Sequence, residues 1–531
     1  MITIAGMASN RGRNLLNLDD RRPGGARVEV VVSNIADAPI LAAAADRGIE
    51  TVTVERAVGE SRTDHESRIV DALDPFDVEL VCLDGYMRIL TDEFLDAMPT
   101  TLNVHPSLLP SFPGTDAWGQ ALDAGVSLSG CTVHVVTETV DGGPIVTQEP
   151  IPVYPTDDVQ SLKERILYRG EFVAYPRAVE AFSTDRVRID HDSNRVEIET
   201  DGDGPFPQRR LVSSDLIAML RYGENPHQSA VVYRDGATDE PASIVTATQR
   251  NPNAKALSYN NYNDADAALE LIKEFDEPAA AVIKHANPAG CASAKTIDEA
   301  YDRALSTDPM SAFGGIVALN RPCDRVTASA IVDSFKEVVV APSFDDDALA
   351  VLRERENIRL LEVGRFDPHD PDQPAFAEKP LVGGRLVQER DRQRLHPDDL
   401  TVVTTREPTT EQRRTMVFAW QTVKHVKSNA IVLATDTETV GIGMGQVSRV
   451  DAVRLATLKA AEHAEGKDAT GSVMASDAFF PFPDGIEVAA DAGVAAVIQP
   501  GGSVNDDEVV ATADRLGIAM VHTGQRCFRH D

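Results

Sequence analysis

Asn103, His105 and Asp141 have the side chains that acyl transfer needs. When an amine attacks an acyl carbon, the carbonyl oxygen becomes an oxyanion. A protonated imidazole and a side-chain amide both donate hydrogen bonds to such an oxygen. A carboxylate nearby favours the charged imidazole and orients it. A second set stands at Lys284–His285, where a cationic donor adjoins a titratable base. There Lys would stabilise an oxyanion and His would move a proton. Each set also has a plainer reading: a His hydrogen-bonded in a turn with an Asp capping a loop, or a surface Lys beside a capping His.

The elements that must position these residues follow from the flanking sequence. A short apolar run ends at Asn103, and Pro106 and Pro110 bar continuation as a helix or central strand. Asn103 and His105 therefore sit where a strand gives way to a loop, facing the same side. Open α/β sheets carry their ligands at such strand ends. Asp141 follows an alternating strand, Thr132 to Val136, and opens a Gly142–Gly143 turn that lets backbone N–H groups approach a ligand. Residues 2–5 read as a first strand, then a polar loop containing Gly12, then a helix from Asn14. Helix N-terminal amides at such a place can hold a phosphate. Arg11 and Arg13 would add contacts to it or simply be solvated. Further strands at 27–33, 51–54 and 78–83 alternate with helical patterns, which predicts a parallel, doubly wound sheet. Lys284–His285 follows the apolar run AAAVI and precedes a Pro–Ala–Gly turn.

The totals narrow the function classes. The chain has 531 residues, 42% of them hydrophobic, enough for two or more domains with ample cores. No apolar run approaches a membrane span, and MITIAGMASN lacks the pattern of a signal peptide. The five cysteines are scattered and odd in number, and no CxxC pair occurs, so a reducing cytoplasm is expected and a disulfide framework or structural zinc is not. The formal net charge of −33 opposes binding to nucleic acid or anionic membranes. It fits a halophilic cytoplasm, because about 1 M salt cuts the Debye length to roughly 3 Å. An acidic mesophilic protein is the alternative. Residues 186–215 turn polar and rich in Gly and Pro, with one short strand at Arg195–Ile198, and read as a linker between domains 1–185 and 216–531. No internal repeat is evident. Residues 343–400 are loosely patterned and receive no function.

NVHPSLLPSFPG followed by VDGG resembles the signature of folate-dependent formyltransferases, specifically glycinamide ribonucleotide (GAR) formyltransferase, over residues 1–182. The resemblance implies a Rossmann-like formyltransferase domain, 10-formyltetrahydrofolate as donor, and Asn103, His105 and Asp141 as the catalytic set. It implies substrate binding at Gly12 and Asn14. It also implies a pterin cradle at Met87, Arg88, Ile89 and Leu90 in GYMRIL, although core packing explains Met87 and Leu90 equally well. The family carries a histidine where this chain reads TDAWGQAL, with Trp118 nearby, which puts details of the substrate pocket in doubt.

From residue 220 onward, LRYGENPHQ, IKHANPAG, DPMSAFGGIVALN, VKSNAIVL, GIGMGQVSRVDAVRLA, SDAFFPFPDGIE and QPGGSVND resemble the 5-aminoimidazole-4-carboxamide ribonucleotide (AICAR) formyltransferase half of the bifunctional purine-biosynthesis protein. This implies two cytidine-deaminase-like α/β/α subdomains and a homodimer with active sites at the subunit interface. It implies Lys284 and His285 as the catalytic pair and Asn429 near the reacting group. Arg221, Tyr222 and Arg526 would hold the nucleotide phosphate, and Arg449 would touch nucleotide or folate. Phe479, Asp484, Ser311 and Glu337 would line the folate pocket. Zinc deamination, the rival chemistry for such a fold, needs H-x-E followed by P-C-x-x-C; His463–Glu465 supplies the first and nothing supplies the second. Nothing in residues 1–215 resembles the IMP cyclohydrolase domain of the bifunctional protein, so ring closure is expected from a separate protein. The alternatives for the N-terminal unit are a formyltetrahydrofolate hydrolase and a non-catalytic folate-binding module.

Overall fold

The apolar runs that open the chain form a seven-stranded sheet in the computed structural model, which describes residues 2–190, 192–199, 204–236, 242–366 and 376–530. The chain divides into two compact units, Met1–Arg210 and Leu211–Asp531. In the first, β1 (Thr3–Met7), β2 (Arg27–Ser33), β3 (Glu50–Thr53), β4 (Leu80–Leu83), β5 (Thr101–His105), β6 (Leu128–Val135) and β7 (Ile145–Pro152) lie in the order β3-β2-β1-β4-β5-β6-β7. The first five are parallel, and β6 and β7 are antiparallel to their neighbours. All four residues of β4 are buried, as a strand covered by helices on both faces requires. Leu80 and Cys82 join Ile4, Leu15 and Val28 in one core, while Val81 and Leu83 join Met7, Val30 and Phe94 in the other. The strand order reverses between β1 and β4, and the site lies where β4 and β5 end.

β6 begins earlier than its alternation suggests, and every residue from Ser129 on is buried. Its polar residues do not make a solvent face; Thr132 serves the loop above the site and His134 the site. Thr132 accepts from Leu109 N–H at 2.9 Å and donates to the Ser107 carbonyl at 2.7 Å. Pro176, inside the helix Phe172–Ser183, has no N–H for the Phe172 carbonyl. Asn17 Nδ2 donates to that carbonyl instead, at 3.3 Å. The preceding turns, Ile166–Glu171, are π-helical. Tyr175 on the same helix is fully buried and donates its hydroxyl between the Leu83 and Leu102 carbonyls, tying the end of β4 to β5. Within 186–215, strands Val187–Asp190 and Arg195–Ile198 pair as a hairpin, and Ile189, Val196 and Ile198 pack on the first core. Residues 191 and 200–203 of that stretch, and 367–375 of the loosely patterned one, lie outside the described residues.

The second unit is built on a twelve-stranded sheet in which one order of ten elements occurs twice. Its first half runs strand Thr248–Gln249, helix Tyr259–Ile272, strands Ala279–Lys284 and Asn287–Ser293, helix Ile297–Leu305, strand Ile316–Leu319, helix Arg325–Val332, strand Val338–Ala341, helix Asp346–Leu352 and strand Arg359–Glu362. Its second half runs strand Thr401–Val402, helix Thr410–Val423, strands Ile431–Thr435 and Glu438–Gly443, helix Arg449–Glu462, strand Val473–Ser476, helix Asp484–Asp491, strand Ala496–Gln499, helix Asp506–Arg515 and strand Ala519–His522. The pairings also match, antiparallel and parallel alike, and the halves join where Ala292 pairs antiparallel with Glu438. This corrects the expectation of no internal repeat. The repeat is one of topology, kept by short apolar strands and by capping boxes at Ser258 and Thr409, whereas the loop residues differ. Two further hairpins, Ser214–Leu220 with Ala230–Asp235 and Phe376–Leu381 with Gly384–Glu389, stand outside the large sheet.

Candidate active sites

Asn103 and His105 leave β5 on one side, into a cleft of about 600 Å³ that Asp141, Trp118 and the segment Gly85–Leu90 also line. His105 Nε2 donates to the Phe112 carbonyl at 2.8 Å, so Nδ1 is the nitrogen that faces Asp141 Oδ2, at 3.4 Å. Gly114 N–H donates to the same oxygen at 2.7 Å. Asp141 itself stands at φ 54°, in the left-handed region, and Gly142–Gly143 follows. Burial pushes its carboxyl up, but the His134 hydrogen bond, the Gly114 N–H and the His105 charge outweigh that and hold it below its ordinary value. It is therefore a carboxylate at neutral pH, beside His105 Nδ1.

A fourth residue completes the set. His134 is the cross-strand partner of Asn103. Its Nδ1 donates to the Val135 carbonyl at 3.0 Å, so in the neutral ring Nε2 accepts from Asn103 Nδ2 at 3.2 Å. That bond turns the Asn103 amide nitrogen toward the site and leaves its second hydrogen for a ligand. Protonated, the same Nε2 faces Asp141 Oδ1 at 3.6 Å and releases Asn103. Met87 and Ile89 are 62% and 51% exposed on the cleft wall, apolar surface available to a flat ring. Tyr86 and Leu90 line the same cleft and are buried.

Gly12 and Asn14 take other positions. Gly12 caps the helix Arg13–Arg21 at φ 52°, and a Cβ there would meet Ile40 at 2.6 Å. Asn14 is buried, and its Nδ2 bridges Asp84 Oδ1 (3.2 Å) and Glu171 Oε2 (2.7 Å) while its N–H donates to Asp84 (2.7 Å). Burial and the Asp84 charge raise the Glu171 carboxyl to about 7. Asn10, which accepts from Gly12 N–H at 3.2 Å, is the residue of this loop that reaches the cleft.

In the second unit, Lys284 ends a buried strand and its Nζ donates to the Gly314 carbonyl at 3.2 Å. His285 and Ala286 form a two-residue hairpin loop with φ 53° and 57°. Both central residues left-handed is the mark of a type I′ turn, which favours Asn-Gly and costs other residues about 1–3 kcal/mol each. Asp264, on the helix Tyr259–Ile272, accepts from both loop N–H groups, at 3.3 and 2.9 Å. Asn287 Nδ2 donates to the His285 carbonyl at 3.1 Å, and its Oδ1 accepts from Lys427 N–H at 2.9 Å. This links the turn to the segment leading to Asn429. Arg449 is buried; its Nη1 donates to Asp477 (2.5 Å) and Ser476 (2.8 Å), and its Nη2 to Asn429 Oδ1 (2.6 Å). Asn429 Nδ2 in turn donates to the Gln446 and Val447 carbonyls at 2.9 and 3.0 Å. Its amide is thus fixed, with one acceptor lone pair of Oδ1 left for a ligand.

Residues 178–459 match the family model described as the AICARFT/IMPCHase bienzyme, more than half of the chain. The chain belongs to the AICARFT/IMPCHase bienzyme family. Residues 1–179 match the formyl transferase family. The chain is 44% identical over 425 residues to the bifunctional purine biosynthesis protein PurH of Roseobacter denitrificans, covering 78% of this chain and 76% of that protein. It is 53% identical over 332 residues to the protein of the same name from Dinoroseobacter shibae, 61% of this chain and 62% of that protein, and so spans less than two thirds of the latter's length. Among solved structures, glycinamide ribonucleotide transformylase 1 from Symbiobacterium toebii is 42% identical, with a TM-score of 0.36, covering 37% of this chain and 94% of that one.

Within this bienzyme-family unit the expected residues fall into separate groups. Glu337 lies beside Lys284: its N–H donates to the Gly315 carbonyl (3.1 Å), next to the Gly314 carbonyl that Lys284 holds, and its side chain accepts from Asn261 (2.9 Å). Ser311 N–H donates to Asp308 at 3.0 Å. Arg221 stacks on Tyr222 with its guanidinium 4.9 Å from the ring centre. Phe479 is partly exposed, and Asp484 opens the helix Asp484–Asp491. Arg526 lies over Phe528 and lines a different cleft, of about 980 Å³, with Arg390 and His530; among the described residues Arg221 and Tyr222 do not line it. Arg449, expected to touch nucleotide or folate, donates to Asp477 and Asn429. His463 stands 3.2 Å from Asp308, which also pairs with Lys459, and no cluster of three or more His, Cys, Asp or Glu that could hold a metal occurs among the described residues. No helix among them is long and apolar enough to cross a membrane.

Proposed function

We propose that this chain carries two formyl-transfer sites. The N-terminal site passes the formyl group of 10-formyltetrahydrofolate to the amine of GAR, and the C-terminal site passes it to the amine of AICAR. The observation that carries the reading is the set Asn103, His105, His134 and Asp141 in one cleft with exposed Met87 and Ile89. The amine attacks the formyl carbon, and protonated His105, through Nδ1, and Asn103, through its free amide hydrogen, stabilise the oxyanion. Asp141 holds His105 charged and assists transfer of the amine proton toward the departing folate nitrogen. Arg88 and Leu90 complete the pterin cradle, and Gly12 and Asn14, outside the cleft lining, act on the substrate end through the loop that carries Asn10. In the C-terminal unit His285 takes the proton of the attacking amine, by way of the substrate's carboxamide, and Lys284 stabilises the oxyanion. Asn429 accepts a hydrogen bond from the substrate. Arg221, Tyr222 and Arg526 bind phosphate, while Ser311, Glu337, Phe479 and Asp484 face folate. Side-chain donors suffice for both steps, so the chemistry calls for no metal.

A homodimer through the C-terminal unit fits the exposed Leu216, Met219 and Tyr233 on its outer hairpin. Ring closure falls to a separate IMP cyclohydrolase, in line with the formyl transferase match over residues 1–179. The proposed setting is a salt-rich cytoplasm, and the charge of −33 argues against nucleic acid and membrane partners. Tetrahydrofolate formation from 10-formyltetrahydrofolate in high salt, with GAR or AICAR supplied separately, tests the reading. Turnover with each acceptor is expected. Turnover with AICAR alone would overturn the N-terminal assignment.

A further inference from the structure

We propose that Asp264 is a positioning residue for His285, holding the His285–Ala286 turn in its left-handed conformation by accepting both loop N–H groups. The proposal rests on the reading of the C-terminal unit as an AICAR formyltransferase. The turn connects strands Ala279–Lys284 and Asn287–Ser293, with Lys284 paired to Asn287. Neither loop residue is Gly, Asn or Asp, the types that take positive φ readily. The sequence therefore does not favour this turn locally, and something else must hold it. The matching loop of the second half, Asp436–Thr437, has positive φ at Asp436 alone. Asp264 reaches the first loop from a neighbouring helix, its two carboxylate oxygens each taking one N–H. Asn287 holds the other side through the His285 carbonyl and Lys427 N–H. His285 is exposed, so the direction of its imidazole depends on the turn beneath it. Burial pushes the Asp264 carboxyl up, while the two loop N–H groups and then the neighbouring Lys284 and His285 oppose that, which opens a competing role by charge rather than by backbone. The two roles separate experimentally, because glycine adopts positive φ freely and restores the turn without restoring a charge.

Asp264→Asn presents an NH₂ group where one oxygen now accepts. It is expected to lower kcat for AICAR-dependent tetrahydrofolate formation tenfold or more, with KM for AICAR within threefold. Adding Ala286→Gly to that variant is expected to bring kcat back to within threefold of the wild type. Asp264→Asn activity within twofold of the wild type overturns the proposal, and so does a double variant that does not recover, which would assign Asp264 a charge role. If Asp264→Asn does not fold, Ala286→Val leaves Asp264 in place and opposes the left-handed conformation. It must then lower kcat in the same way, and unchanged turnover overturns the proposal. Amide hydrogen exchange at residues 285 and 286 reads the clamp with no substrate present and must speed up at least tenfold in Asp264→Asn. A wild type inert toward AICAR would overturn the functional reading, and the clamp would then be decided by the exchange result alone.

Discussion

The C-terminal unit places a two-residue hairpin loop at the same point of each half, with positive φ at both residues of the first and at one of the second, and the halves use it differently. His285–Ala286 follows the strand Ala279–Lys284, and Asp436–Thr437 follows the strand Ile431–Thr435. The first turn presents Lys284 and an exposed His285, is held from behind by Asp264, and is tied through Asn287 to the segment carrying Asn429. At the second, Arg303 pairs with Asp436 (3.1 Å), Lys467 pairs with Glu438 (2.7 Å), and Thr437 exchanges hydrogen bonds with Ser293 across the join of the halves. One turn keeps its cationic and titratable groups available, and the other spends its charged groups on internal pairs. The scaffold is common to both, so the chemistry must be argued from residue types and their partners, not from topology.

The sharpest way to break this contrast is to remove side chains from each turn in the same assay. Lys284→Ala and His285→Ala are each expected to cut AICAR-dependent tetrahydrofolate formation by about 10²–10⁴. Asp436→Asn is expected to stay within twofold of the wild type. An Asp436→Asn loss as large as that of His285→Ala would place the second turn in a site as well. The next effect concerns the N-terminal unit. His105→Ala should lower GAR-dependent turnover by about 10²–10³, the cost of one oxyanion donor. AICAR-dependent turnover of the same protein should not change. A fall in both would mean that the two sites do not work independently.

How far these sites could be read in advance follows from distance along the chain. Asn103 and His105 were legible because they share one strand end, two residues apart and followed by Pro106; Asp141 was marked by its Gly-Gly turn. His134 was missed, although the strand was expected. Both faces of β6 are buried, so alternation alone does not say which polar residue faces a cleft. Its pairing opposite Asn103 is the signal that finds it, and that needs the sheet order. Lys284 and His285 were legible as a pair, but the positive φ of the turn was not, since nothing in His-Ala favours it. Arg449 was expected at the ligand from the family resemblance alone; its partner Asp477 lies 28 residues away, and only tertiary structure brings them together. The two like halves were expected from the family resemblance to two subdomains, but no repeat shows in the residues, because short apolar strands specify topology without sequence identity.

A third test asks whether a buried carboxylate needs donors, as Asp264 has in the two loop N–H groups. Glu171 is buried, the Asn14 amide donates to it, and a second acid, Asp84, is close by. Its folded value of about 7 lies above the ordinary 4.5, so between those limits the folded state holds a proton that the unfolded state has lost. The favourable contribution is complete below about pH 4.5 and is lost as pH rises through 7. At roughly 1.4 kcal/mol per pH unit, the loss is about 3 kcal/mol by pH 8. Glu171→Gln should therefore stabilise the N-terminal unit by about that amount at pH 8 and change it little at pH 4.5, measured by urea unfolding at both pH values. Equal effects at the two pH values would mean that Glu171 is not titrating as its burial requires.

The smallest effect bears directly on the two turns. If the ion pair Arg303–Asp436 held the second turn as Asp264 holds the first, breaking it would cost several kcal/mol. Its side chains are 31% and 59% exposed, so water screens the attraction and ordering two side chains offsets part of it. A double-mutant cycle with Arg303→Ala and Asp436→Ala should give a coupling of about 0.2–1 kcal/mol, shrinking further at high salt. The second turn then owes its shape to the buried Thr437, which donates to the Ser293 carbonyl at 2.7 Å and accepts Ser293 N–H through its own carbonyl at 2.8 Å. A salt-insensitive coupling above 2 kcal/mol would reverse that ranking. It would also make the second turn a charge-held element, unlike the first, whose backbone N–H groups Asp264 accepts.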